Sequence, residues 1–325
     1  MKNSLYRYIA RIQGLLPGFI AAIISLGVWQ LGGWKALEQV GYNSLFQIRD
    51  TGILPKPNWD NRVAVIAIDE ASLRKLGRFP FSRDRYTKLL QTLSPSRPAA
   101  VGLDIIFAEA SPDDSQLADA IRASGNVIVA QAWDDQEQLI PIERIIEEAV
   151  ASRGHISHNP DTDGISRQAA LKFRGLPSLG LAMLELYSGD NPGKLEQLER
   201  FLTSLNQDNR QFNRVWLNWP GKTQSLQTYS FADVLEGKVD KNAFTGKLVL
   251  VGITATGFDP LVTPLNQMPP TSGVYLHAAA IDNLLNKRLL QTLPDGKTAI
   301  LLLLIGPIAS GILSKLGVGG RVAIA

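Results

Sequence analysis

Three short apolar runs in the sequence end in residues that can do chemistry. Asp69 closes VAVIAI, Asp104 closes AAVGL, and a glycine-bearing turn at 252–257 closes KLVLV. If the three runs are neighbouring parallel strands, these residues share the carboxyl edge of one sheet, where open α/β folds bind their ligands. Two carboxylates at one edge repel each other unless a cation intervenes, and Arg83, Arg167 or a bound metal are the candidates for that role. The alternative is structural. Aspartate is common after a strand because it caps the following helix, which would leave Arg83 as an internal ion-pair partner.

Other polar motifs promise less. NPDTDG at 159–164 alternates oxygen-bearing side chains as a calcium loop does, but Ala170 stands where the closing glutamate belongs, so Asp161, Asp163 and Gly164 read as a turn. His155 and His158 are three apart on an expected strand and loop, where helical spacing does not aim them at one ion; with no cysteine and no third ligand, a zinc site is not expected. His277, near a helix start, is expected to pack or cap. There is no G-x-S-x-G, no Walker loop and no G-x-G-x-x-G, and VGITATG at 251–257 has no lysine to meet a phosphate. Neither a catalytic set nor a cofactor nor a metal is expected.

These residues need a scaffold, and the alternation of apolar runs with helical patterns supplies an α/β fold with a mostly parallel central sheet and helices on both faces. Strands are expected at 63–69, 99–107, 126–133, 167–173 and 247–253, with helices near 83–93, 114–124, 141–152, 179–187 and 275–286. The first, second and last of those strands are apolar without alternation, which places them in the sheet centre with both faces covered. A polar, aperiodic stretch at 188–214 reads as an insertion with one helix near 194–205.

The sheet is flanked by membrane-like segments. No ionisable residue occurs from Ile12 to Trp34, a run that would span about 34 Å as a helix. A second uncharged run, 298–314, contains Pro307. Lys2, Arg7 and Arg11 precede the first run, and Lys315 and Arg321 follow the second, while all 30 acidic residues lie between them. By the positive-inside rule, both ends are then cytoplasmic. Of 33 Lys and Arg, setting aside these five leaves 28 against 30 acids, so the basic balance reports topology rather than a nucleic-acid surface. A helix at about 36–49, with one apolar or small-residue face, is expected to continue rigidly outward from the first membrane run. The absence of cysteine means no disulfide framework and is compatible with an outer location.

In order along the chain, VAVIAIDEASL, GRFPFSRDRY, GLDIIFAE, GHISHNPDTDGISR, FTGKLVLVG, DPLVTP and SGVYLHAAAIDNLL lie between the two apolar runs. The set resembles the type-two CHASE domain, a sensory extracellular domain associated with cyclases and histidine kinases. The resemblance implies a bacterial, cyanobacterial-like transmembrane receptor whose output is a nucleotide cyclase, a histidine kinase or a Ser/Thr kinase. It divides the chain into residues 1–35, a cytoplasmic start and membrane helix; 36–60, an outer helix and linker; 61–297, the sensory domain; and 298–325, a returning helix. The chain is then expected to stop before any output domain and to be catalytically silent. The implied partners are the membrane, an unknown small-molecule or environmental signal and a second copy in a homodimer, with no nucleic acid. The implied place is the inner membrane, with residues 36–297 outside the cytoplasm. Asp69, Arg83, Asp104, Arg167, Asp259 and His277 are the ligand-binding candidates, with Asp163 a further recurring polar position. A membrane-tethered periplasmic hydrolase using Asp69 and Asp104 with a metal is the alternative from another class, and a scaffold without a ligand is a third.

Overall fold

The computed structural model describes residues 2–189, 191–205 and 214–315. Two compact units emerge, one formed by the chain ends up to Leu45 and from Gln291, the other running from Phe46 to Leu290. The elements begin with α1 (Lys2–Gln30), α2 (Lys35–Asp50), β1 (Val63–Ile68), α3 (Glu70–Leu76), α4 (Arg83–Leu93), β2 (Ala100–Leu103), α5 (Asp114–Ser124), β3 (Val127–Gln131), α6 (Arg144–Glu147) and β4 (Ser152–His155). Next come β5 (Gln168–Ala170), β6 (Lys172–Phe173), β7 (Leu176–Pro177), α7 (Leu179–Gly189), α8 (Pro192–Leu205), β8 (Arg214–Trp216), β9 (Thr228–Ser230) and α9 (Phe231–Leu235). The chain continues through β10 (Leu248–Ile253), β11 (Pro260–Leu261), β12 (Thr271–Ser272), α10 (Val274–Leu285) and α11 (Asp295–Lys315).

Six strands form one sheet in the order β4-β3-β2-β10-β1-β9, and every neighbouring pair is parallel. The runs without alternation, β1, β2 and β10, lie side by side in its middle, buried at every position. Alternate residues of each strand face opposite layers. One face, with Ile66, Val101 and Val251, packs on α4, α5 and α9 through Tyr86, Leu89, Leu117 and Phe231. The other face lies under α7 and α10. The expected strand at 167–173 is not in this sheet. Its first half pairs antiparallel with β8 and its second half with β7, so RQAALKF forms two small ribbons beside the sheet.

α10 is buried from Val274 to Leu284 and α7 from Leu179 to Leu184, as helices with apolar residues all round must be. Both sit close to the sheet because the strands present glycine beneath them. A Cβ on Gly252 would lie 2.8 Å from Val274 Cγ2, and one on Gly154 only 2.6 Å from the Leu179 backbone nitrogen.

In the unit of chain ends, α1 packs on α11. A Cβ on Gly18 would lie 2.6 Å from the Gly306 carbonyl carbon and 2.7 Å from Pro307 Cα, so the small residues permit a close backbone crossing of the kind found between membrane helices. Large side chains point away from the pair: Ile23 is 64% exposed and Ile308 58%. Among the described residues, α11 alone, over Asp295–Ser314, is long and apolar enough to cross a membrane as one helix, and it is barely buried, unlike the core helix of a soluble protein. The first apolar run is not continuous with the helix after it. A turn at 31–34, with Gly32 at φ +74°, bends α1 and α2 by 92°, which corrects the expectation of a rigid rod. Gly32 and Gly33 in that turn supply the break. Of the flanking cations, Arg321 and the side chains of Lys2, Arg7, Arg11 and Lys315 lie outside the described region, as does part of the expected insertion at 188–214.

The close glycine contacts differ in kind, and so should their substitutions. Gly154→Ala meets the backbone of α7 and is expected to destabilise the domain by about 1–3 kcal/mol in chemical denaturation. Gly102→Ala meets only side chains, the flexible Met183 thioether and Leu250 Cδ2, and should cost less.

Candidate functional site

The six ligand-binding candidates separate into two groups. Asp69 is a helix cap: its Oδ1 accepts from Ser72 N at 2.8 Å, Ser72 Oγ at 2.6 Å and Ser230 Oγ at 2.9 Å. Arg83 is 8% exposed, donates to Asp114 at 2.9 Å and to the Glu109 carbonyl at 2.7 Å, and lies over the Phe107 ring. Arg167 is fully buried and holds Asp161 at 2.6 Å and Asp163 through two bonds, with Gly164 at φ +78° closing the turn. The bonds named for these three are all internal to the domain. Neither arginine lies between Asp69 and Asp104, because each is already engaged by other carboxylates. The glycine-bearing turn after β10 is likewise tied down, with Thr256 donating to Glu70 through N at 2.9 Å and Oγ1 at 2.8 Å.

The other three, Asp104, Asp259 and His277, meet in a cleft of about 360 Å³ at the carboxyl edge of the sheet. Asp104 extends β2, its N–H donating to Val251 O at 2.8 Å. Its carboxylate accepts no hydrogen bond among the described residues. Burial, and secondarily the charge of Asp259, push it up to about 7. Asp259 accepts from Gly273 N at 2.9 Å, and a side chain at Gly273 would collide with that carboxylate. His277, in the first turns of α10, is 6% exposed and has no hydrogen-bond partner among the described residues. Burial, helped by His155 and His158, lowers it to about 3. It neither caps the helix nor packs among apolar side chains alone.

His158 joins the site from the loop after β4, its Nε2 2.7 Å from Ser166 Oγ, and it is lowered by burial. His155 lies behind, fully buried with both ring nitrogens unpartnered and lowered to about 4 by burial. All three histidines of the chain thus gather here. Among the described residues no three His, Asp or Glu are placed to hold a metal ion. The walls are otherwise apolar, with Phe79 and Phe258 meeting edge to face at 6.0 Å.

Opposite the cleft along α10 is a clamp that sequence reasoning missed. Asp282 and Asn283 are fully buried near the end of the helix. Asp282 accepts from Asp60 N at 2.8 Å and pairs with Arg288 through Nε at 2.8 Å and through Nη2. Arg288 also donates to the Asn58 carbonyl at 3.0 Å. Asn283 takes Asn218 N at 2.7 Å and gives to Asn218 O at 3.1 Å, while Asn218 Oδ1 receives Arg49 Nη1 at 2.6 Å. The segment leading in from α2 and the segment leading out toward α11 are therefore held by two adjacent side chains. The available signal was a polar pair, DN, inside the apolar run VYLHAAAIDNLL.

A family model described as the CHASE2 domain matches residues 19–312. No curated protein and no solved structure matches the chain.

The buried carboxylates set how the domain responds to pH and to truncation. Asp104 keeps its proton in the folded state up to about pH 7 but loses it near 3.8 when unfolded, so stability falls as pH rises through that window. His155, His158 and His277 act oppositely, and because their unfolded-state protonation is still half complete at pH 6.5, the Asp104 contribution is read from the difference between the wild-type chain and Asp104→Asn. Between pH 6.5 and 8 the wild-type chain should lose about 1 kcal/mol of stability relative to Asp104→Asn, roughly 2–4 °C in the difference of their Tm values. Asp282→Ala removes the carboxylate that pairs with Arg288 and accepts from Asp60 N–H; denaturation should register a loss of roughly 3–5 kcal/mol.

Proposed function

The chain belongs to the CHASE2 domain family, a family of sensory extracellular domains, and from that premise we propose that residues 46–290 are the input module of a transmembrane signalling receptor. One helix supports this reading above all: α10 has the cleft at its first turns and the clamp at its end. His277 and Asp282 are about 7.5 Å apart along its axis. An occupant that displaces the first turn moves the clamp, because a packed, buried helix shifts as a unit. The clamp in turn holds both chain segments that lead to apolar helices. A ligand biases such a device only by binding one of its two arrangements more tightly.

In this proposal α11, and α1 with the bend after it, lie in the inner membrane. Residues 36–297 are outside the cytoplasm, both termini are inside, and the receptor acts as a homodimer. The output is a nucleotide cyclase, a histidine kinase or a Ser/Thr kinase. A metal hydrolase built on Asp69 and Asp104 draws no support from the geometry, since Asp69 Oδ1 is taken up by three capping bonds and no three His, Asp or Glu are placed to hold a metal among the described residues.

The chain has no cysteine, so each introduced thiol is unique. Gln116→Cys, at an exposed position of α5, should react with a membrane-impermeant maleimide in intact spheroplasts, and Asn3→Cys only after permeabilisation. The opposite pattern would end the receptor topology.

A further inference from the structure

The cleft at the carboxyl edge of the sheet offers a ligand an unusual set of groups. Its polar side chains are Asp104 from the end of β2, Asp259 from the loop after β10, His158 from the loop after β4 and His277 from α10. Among the described residues no lysine or arginine lines it. Arg214 acts on His158 from beyond the cleft, and His155 lies behind His277. Two carboxylates and two imidazoles kept neutral by burial can all accept hydrogen bonds. Asp104 and the nine-tenths-buried His277 have no partner among the described residues, which leaves acceptor capacity directed at the space between them.

The apolar walls narrow the class further. Phe258, 51% exposed, and Ile106, 38% exposed, stand at the cleft with Phe79, Ile156 and Leu276. An anion would meet two like charges and no counter-charge. A bare metal ion would face mostly hydrocarbon, and no three-ligand group is placed to hold one among the described residues. An aromatic pair beside carboxylates suits an ammonium group, which is attracted to ring faces as well as to negative oxygens.

We propose that this cleft binds a small organic ammonium ion, a primary amine on an apolar or aromatic body, with Asp104, Asp259 and His277 accepting from its N–H groups and Phe79 and Phe258 packing on its carbon skeleton. This names the ligand class of the sensory site proposed above and rests on that reading for its purpose. Binding pulls the Asp104 proton off, because the ammonium charge favours the carboxylate over the neutral acid. The affinity therefore rises with pH between about 5.5 and 8, opposite to what a histidine-borne positive charge would give an anion.

The test uses the full chain in detergent micelles with three probes that share a 2-phenylethyl body: 2-phenylethylamine, 2-phenylethanol and 3-phenylpropionate. At about 10 mM and pH 8 the amine should raise Tm by roughly 2–5 °C, as a millimolar site requires, with little effect of the alcohol or the carboxylate. Asp104→Asn and Asp259→Asn should each abolish most of the shift, whereas the surface change Asp119→Asn should leave it intact. Titration calorimetry near pH 6 in buffers of different ionisation enthalpy should show proton release on amine binding. Equal shifts from the alcohol, a larger shift from the carboxylate, no shift from the amine, or a full response in Asp104→Asn would each overturn the proposal. The thiol-labelling pattern is independent of these results: amine binding in a chain labelled from the cytoplasm defeats the receptor reading alone, and correct labelling without amine binding defeats the ligand class alone.

Discussion

Two adjacent side chains with no exposure to solvent, Asp282 and Asn283, hold the ends of the α/β unit together. They sit on a helix whose other residues are mostly apolar, so both had to be desolvated, and a buried polar group is tolerated only when its partners are supplied. Besides the 3.2 Å bond between the two, their partners come from segments outside the helix: Asp60 before the first strand, Asn218 after β8, and Arg288 after the helix, which itself donates to the Asn58 carbonyl. Arg49 in the last turn of α2 reaches the same network through Asn218. The fold can therefore close only with its incoming and outgoing segments side by side. An apolar pair could fill the same volume, but it would not dictate which backbone groups meet there.

The position of that pair gives α10 its mechanical meaning. The helix lies against the central strands β1 and β10, over Gly252, and against α7, where a Cβ on Gly180 would lie 3.1 Å from the His277 carbonyl oxygen. Contacts this close leave little room for bending, so displacement at one end is carried to the other. The layer on the opposite face, built on Tyr86, Leu89 and Phe231, lies across the sheet from this path and serves as its rigid floor.

Much of this order is legible in the sequence, and the parts that are not have physical reasons. Continuous apolar runs mark β1, β2 and β10 because both of their faces are covered. The edge strands β4 and β9 are SRGH and TYS, too short and polar to stand out from loops. Asp69 and Asp104 look alike, each closing an apolar run, yet only one caps a helix. The difference lies in the neighbouring residues: after Asp69 comes EASL, with a serine three positions on to donate, whereas after Asp104 comes the apolar IIF, which runs on without forming a helix. RQAALKF has the composition of a strand, but which partner it pairs with is decided by tertiary packing, and no local pattern records it. The convergence of three histidines from separate elements likewise depends on topology.

The treatment of buried charge separates the cleft from the rest of the domain. Arg83 with Asp114, Arg167 with Asp161 and Asp163, and Asp282 with Arg288 are all compensated by direct pairing. The chain thus has the means to satisfy charges it withdraws from water. At the carboxyl edge of the sheet it does not use them: Asp104, His155 and His277 remain without hydrogen-bond partners among the described residues, and their protonation is displaced toward the neutral form instead. Packing alone would favour an apolar residue at His155, whose two ring nitrogens are buried without a partner, since an unsatisfied buried polar group lowers stability. Unpartnered titratable side chains gathered at one cleft mark where the structure answers to something outside itself. That place is also where three central parallel strands end, the edge at which α/β sheets receive their ligands.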